Sequence, residues 1–255
     1  MASLYRDIAD ALAAAMKNAG PGITIPQSLP VSRGRIPGKG DLVCTYSLQA
    51  VRGTGLSAQT LACRTALNLP LAPLGLVRAQ GENGFINLYL SDRWYADALA
   101  QLRCAKLQCL ADPVPVQKYD AMPQSAARFL ILAPDGVRMM REDPEWYLRR
   151  SRENPLYAIR WACRRAGILA ARTDTAWEYS CMTPAYKCLV YTLDACTGAL
   201  SDRELLGALR RAAEEFRTVY VEEKPGFRAG MLAAAVENIL RRGLEVLGLE
   251  EEKRE

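Results

Sequence analysis

The chain of 255 residues contains no histidine. That excludes an imidazole acid or base, any Ser–His or Cys–His nucleophile, and any mixed Cys/His zinc site. Cysteine occurs at Cys44, Cys63, Cys104, Cys109, Cys163, Cys181, Cys188 and Cys196, but no two are spaced Cys-x-x-Cys. Most stand among apolar neighbours, as buried free thiols in a reducing compartment do. An all-cysteine metal site from Cys181, Cys188 and Cys196 is disfavoured, because the spacings are too long for the usual ligand turns. Gly53-Thr54-Gly55 and Gly34-Arg35 lack the strand-before, helix-after context of a phosphate loop. No run approaches the roughly 20 apolar residues that cross a bilayer. The opening stretch MASLYRDIADALAAAMKNAG carries acids and lacks a signal-peptide apolar core. The expectation is a cytoplasmic protein with no membrane partner, no metal and no cofactor.

What is present fits an ordinary globular protein, half apolar and 24% charged. The length holds one large domain or two small ones, each able to bury a core. A net charge of +5 permits an anionic partner without demanding one. The excess is local: Arg138, Arg141, Arg149, Arg150, Arg152, Arg160, Arg164, Arg165 and Arg172 share a short span with few acids.

Periodicity predicts a helix over 3–19 capped by Ser3, and a short strand at Ile23–Ile25. The Gly/Pro-rich stretch from Val31 to Asp41 reads as a loop. Residues 41–51 suit either a strand or a helix. A helix capped by Ser57 runs to Leu67. Phe85, Asn87 and Tyr89 alternate with Ile86, Leu88 and Leu90 in a strand entered through Gly84. Ser91 or Asp92 then caps a helix. Pro113, Pro115 and Pro123 mark a linker. Beyond it, helices are predicted at 185–195, from Ser201, and over 226–249, with 134–143 a loop and 144–152 a helical turn. The fold expected is α+β: a small α/β domain over 1–110, a linker over 111–124, and an all-α helical bundle over 125–255.

The most informative stretch is NPLYAIRWACRRAGIL, Asn154 to Leu169. Leu156, Ile159, Cys163, Ala166 and Leu169 fall on one helical side, Tyr157, Arg160, Trp161, Arg164 and Arg165 on the other. Guanidinium groups interleaved with aromatic rings suit a stacked, phosphate-bearing ligand such as single-stranded RNA. An amphipathic helix with a solvated arginine face gives the same pattern. The stretch resembles the opening of the DALR anticodon-binding domain of arginyl-tRNA synthetases, at Asn154, Pro155, Tyr157, Ala162 and Arg165. The family's second Tyr, Gln, next Tyr and His are replaced by Ala158, Arg160, Trp161 and Cys163. Phe216-x-x-x-Tyr220 and the run Leu240 to Gly248 are similar to that domain's closing elements. Independently, Gly40-Asp41, Gly84-Phe85-Ile86-Asn87 and Ser91-Asp92-Arg93-Trp94 resemble the N-terminal additional domain of the same family, which touches the D-loop corner of tRNA. The segment Leu42 to Thr45 departs from that pattern.

The two blocks cover nearly the whole chain in order, without the catalytic domain that separates them in a synthetase. Only about 20 residues lie between Leu102 and Ser125, too few for even one βαβ unit of about 30. The histidines of the family's HIGH signature and its Lys-Met-Ser-Lys-Ser loop are absent. The resemblance therefore implies a non-catalytic, synthetase-derived tRNA-binding protein, its partner a tRNA, such as an arginine tRNA. The RNA-binding residues expected are Phe85, Asn87, Tyr157, Arg160, Trp161, Arg164 and Arg165. The alternative is an adaptor that holds a synthetase or another tRNA-processing or translation enzyme without binding RNA.

Overall fold

The computed structural model describes residues 4–27, 29–34, 36, 38–52, 54–107, 109–110, 122–143, 145–151, 153–172, 183–198, 200–223 and 230–250. The chain forms two compact units, one through Tyr95 and one from Ala96 onward.

The first unit is a small sheet covered by helices. Helix α1 (Arg6–Ala19) buries Ile8, Leu12, Ala15 and Met16 at helical spacing. Strands β1 (Val31–Arg33) and β2 (Leu42–Cys44) pair antiparallel. The short α2 (Ser47–Ala50) and α3 (Ala58–Leu67) follow. Ser57 caps α3 by accepting from Thr60 N at 3.0 Å. Strands β3 (Leu76–Glu82) and β4 (Phe85–Leu90) form a hairpin. Its Asn83-Gly84 turn holds both residues at positive φ, 54° and 81°, the conformation a two-residue type I′ turn needs. The sheet order is β1-β2-β4-β3, all antiparallel. Leu42, Cys44, Ile86, Leu88 and Leu90 form its buried side, against which α3 packs. Gly81 lets β3 reach α3: a Cβ there would stand 2.4 Å from Cys63 N.

Helix α4 (Asp92–Arg103) crosses the boundary between the units, and Ser91 caps it through Trp94 N at 3.2 Å. The second unit continues with β5 (Cys109–Leu110), α5 (Gln124–Leu132), α6 (Gly136–Glu142), α7 (Pro155–Arg172), α8 (Pro184–Cys196), β6 (Leu200–Ser201), α9 (Asp202–Glu223) and α10 (Gly230–Leu247). β5 and β6 pair parallel over two residues. Helix α7 packs on α10 and α9, and α8 on α9. Leu156, Ile159, Phe216, Leu232, Val236 and Ile239 are at the limit of burial in this core, each contributing about 1.5–3 kcal/mol. Asn238 Nδ2 donates to Leu102 O and Ala105 O at 2.9 and 3.0 Å, tying α10 to the C-terminal end of α4.

The helix ends are closed by local chemistry. Ser201 and Glu204 form a reciprocal capping box, with Ser201 N donating to Glu204 Oε2 at 2.9 Å. Helix α10 ends in a Schellman turn: Leu249 N donates to Leu244 O at 2.8 Å, Gly248 N to Glu245 O at 3.1 Å, and Gly248 takes φ 62°.

The architecture is thus a mixed one, a small antiparallel sheet with helices followed by a helical unit. Several expectations need correction. Ile23–Ile25 is not a strand; the edge strand is instead Val31–Arg33, inside the expected loop. Residues 41–51 use both readings in turn, β2 and then α2. The expected loop at 134–143 holds α6. On α7, Cys163 and Leu169 are only half-buried, and Ala162 takes the core position. Ser3, the linker over 111–121, Arg152, Cys181, residues 226–229 and the tail over 251–255 lie outside the described residues. Among the described residues no helix is long and apolar enough to cross a membrane.

Candidate functional site

The face of the sheet opposite its buried side carries a cleft of about 480 Å³. Alternation along β4 sends Phe85 and Asn87 to this face. Phe85 keeps 39% of its surface exposed. Asn87 is buried at 5%, because β4 lies between β2 and β3 and the chain at Gly40 folds over it. An edge position for Asn87 is therefore excluded. No hydrogen bond from its carboxamide to a described residue is found, although it lines the cleft beside Val43, Thr45 and Ser32.

Gly40 has to be glycine. It takes φ 95°, and a Cβ would stand 3.2 Å from Asn87 Cβ and 3.0 Å from Leu88 O. Asp41 next to it accepts from Leu90 N at 2.9 Å through Oδ2, and its own N–H donates to Leu88 O at 2.8 Å. The Gly40-Asp41 pair thus pins the loop edge to β4. On the other side, Gln59 of α3 accepts from Gly84 N at 3.2 Å and donates to Gly81 O at 3.2 Å. That fixes the hairpin turn beside Phe85. Arg33 and Lys39 also line the cleft; neither was singled out from sequence, because both lie in what reads as an irregular basic loop.

Helix α7 distributes its expected face differently. Asn154 is its N-cap: Oδ1 accepts from Tyr157 N at 3.0 Å, while Nδ2 donates to Arg149 O at 2.9 Å and Tyr147 O at 3.2 Å. Pro155, following it, costs no hydrogen bond at the first helical position. Arg160 turns into the protein. Its Nη2 donates to Ser125 Oγ at 2.9 Å, Leu249 O at 2.8 Å and Glu250 O at 2.6 Å, and Nε donates to Leu249 O at 3.0 Å. Placing Arg160 on an open RNA-facing surface is therefore corrected: its fork is spent on the turn after α10. Arg165 is likewise engaged. Its Cζ lies 4.8 Å from the centre of the Tyr220 ring and its Nη2 bonds the Tyr220 hydroxyl.

Tyr157 and Trp161 do come together. They line a cleft of about 230 Å³ with Arg150, Ser151, Glu214 and Arg217. Trp161 packs edge-on against Tyr220 at 5.9 Å, and Tyr220 stacks on the buried Phe216 at 6.3 Å. Arg217 is paired to Glu214 at 2.7 Å. Arg164 is exposed and does not line this cleft. Arg217, which lines this cleft from α9, was not singled out from sequence.

Neither surface holds a reactive thiol. Burial pushes Cys163 up to about 11 and Cys196 up to about 12, so both stay neutral and poorly nucleophilic near pH 7. Among the described residues no group of three or more Cys, Asp or Glu is arranged to hold a metal ion. Both clefts combine aromatic surface with cationic side chains, the chemistry of a binding site for an aromatic, anionic ligand.

The chain matches no protein-family model, no curated protein and no solved structure.

Proposed function

We propose that this is a non-catalytic tRNA-binding protein derived from an arginyl-tRNA synthetase, acting in the cytoplasm. In this reading the first unit corresponds to the additional domain and the helical unit to a DALR-type anticodon-binding domain. The observation that carries the reading is the sheet cleft. It presents an exposed aromatic ring, Phe85, a largely buried amide in its lining, Asn87, and two cations, Arg33 and Lys39. Those are the parts needed to stack an unpaired base, read its edge and hold its phosphate. The smaller cleft with Tyr157, Trp161, Arg150 and Arg217 supplies a second aromatic and cationic surface. The ordered resemblance of both blocks supports tRNA over other RNA.

The test is fluorescence anisotropy with labelled bulk tRNA over a salt series. Binding that weakens with salt is expected, with Phe85→Ala losing about 1–3 kcal/mol through the stacked base. Absence of any salt-dependent complex would remove the reading, and native purification yielding a protein partner free of RNA would replace it with the adaptor.

A further inference from the structure

One feature of the sheet cleft is a contact that opposes its use. Lys39 Nζ lies 2.6 Å from Glu82 Oε1. Both residues line the cleft, Lys39 from the loop and Glu82 from the end of β3. Glu82 stands directly across the hairpin from Phe85. The ammonium group is therefore held by a carboxylate beside the ring that would stack a base. Neither side chain is buried: 48% of the Lys39 and 36% of the Glu82 side-chain surface is open. An exchange of partner needs no unfolding and exposes no core.

The loop has a fixed base. Gly34 N donates to Asp41 O at 2.9 Å, and a Cβ on Gly34 would stand 2.2 Å from Gly40 O. Near the tip, the Tyr89 hydroxyl donates to Gly38 O at 3.2 Å, and Arg78 covers the Tyr89 ring with Cζ 3.8 Å from its centre. The Lys39–Glu82 pair is a charged link between this loop and the hairpin.

We infer that Glu82 is a built-in competitor for the nucleic-acid phosphate: it holds Lys39 across the cleft, and a phosphate must displace it to engage the ammonium. This rests on the RNA-binding reading of the cleft and adds its regulation. A phosphodiester presents the same hydrogen-bonding oxygens as the carboxylate but arrives with a base to stack on Phe85. Ligands that supply both should open the pair, and a bare anion should not. The device would set a threshold that favours an unpaired nucleotide over the regular backbone of a duplex.

The experiment is a double-mutant cycle read by anisotropy with labelled bulk tRNA at fixed salt. Glu82→Gln should tighten binding by about two- to fivefold, the range set by an exposed ion pair. In a Lys39→Gln background the same change should have no effect, because nothing remains to be released. An equal gain in both backgrounds would overturn the inference, since Glu82 would then act only as a repelling charge. So would an unchanged affinity in Glu82→Gln. If wild type and Glu82→Gln both fail to bind tRNA, the RNA reading itself falls and the competitor with it. Wild-type binding with no Lys39-dependent gain removes the competitor alone. Thermal melts of all four proteins should agree, which ties any affinity change to the cleft.

Discussion

Replacing Arg160 by alanine separates a structural role from an RNA-contacting one. The side chain donates to Ser125 Oγ, twice to Leu249 O and to Glu250 O. Leu249 is fully buried and Ser125 is 5% exposed, so water replaces these contacts poorly. A hydrogen bond from a charged donor is worth about 1.5–3 kcal/mol in favourable cases. The charge also sits where the carbonyl end of α10 is negative, worth about 0.3–1 kcal/mol. The bonds share one guanidinium and two of the acceptors are backbone at the unit's rim, so they do not add. A net loss of about 2–3 kcal/mol is expected. For a unit of this size that corresponds to a fall of roughly 4–12 °C in Tm. Arg160→Lys keeps the charge but not the planar fork, and should recover less than half. The assay is urea and thermal unfolding followed by circular dichroism, with tRNA affinity measured on the folded variant. Unchanged stability together with weakened, less salt-dependent RNA binding would refute the reasoning and return Arg160 to the RNA-facing surface.

The other expectations concern neighbouring sites. Asn154→Ala removes the cap of α7 and strands two carbonyls, and should cost about 1–2 kcal/mol in urea unfolding. Trp161→Ala should weaken tRNA binding by about 1–3 kcal/mol without altering the log-affinity versus log-salt slope, whereas Arg164→Ala should flatten that slope by about 0.7–0.9 if it contacts a phosphate. Asp135 pairs with Arg210 at 3.0 Å, and that hydrogen bond holds its carboxyl below the ordinary range. Because the folded value is the lower one, the contribution is present above an unfolded value of about 3.9 and lost as pH falls through the folded value. Asp135→Asn should therefore destabilise by about 0.2–1 kcal/mol at neutral pH, and the difference from wild type should close in melts as the pH falls through the lowered Asp135 value.

Helices with a cap and an uninterrupted apolar stripe were legible from sequence: α3 behind Ser57, α4 behind Ser91, α9 behind Ser201 and Glu204. Strand β4 was legible because its two sides differ chemically. Strand β3 was not. Arg78, Gln80 and Glu82 are polar, and Gly81 serves a close approach to α3 that only tertiary packing reveals. The signal that could have exposed it is Asn83-Gly84, a hairpin turn pair that implies a strand on each side. Helix α6 was hidden for a related reason. A Cβ on Gly136 would stand 1.9 Å from Leu130 O, so the residue that reads as a loop marker is the tight reversal from which a helix starts.

The candidate site was legible in composition and not in direction. A helical wheel gives the side of a helix on which a residue emerges, but not what another segment places there. Arg160 and Arg164 are four apart on α7, a spacing at which like charges cost a few tenths of a kcal/mol. Tolerance of that repulsion implies an anionic counterpart somewhere. For Arg160 the structure supplies it from within, as the partial negative charge of the carbonyls that follow α10. Arg160 turns toward those carbonyls, while Arg164 is exposed. The same four-residue spacing that suggested two RNA contacts is then satisfied by one arginine that closes the fold and one that faces outward.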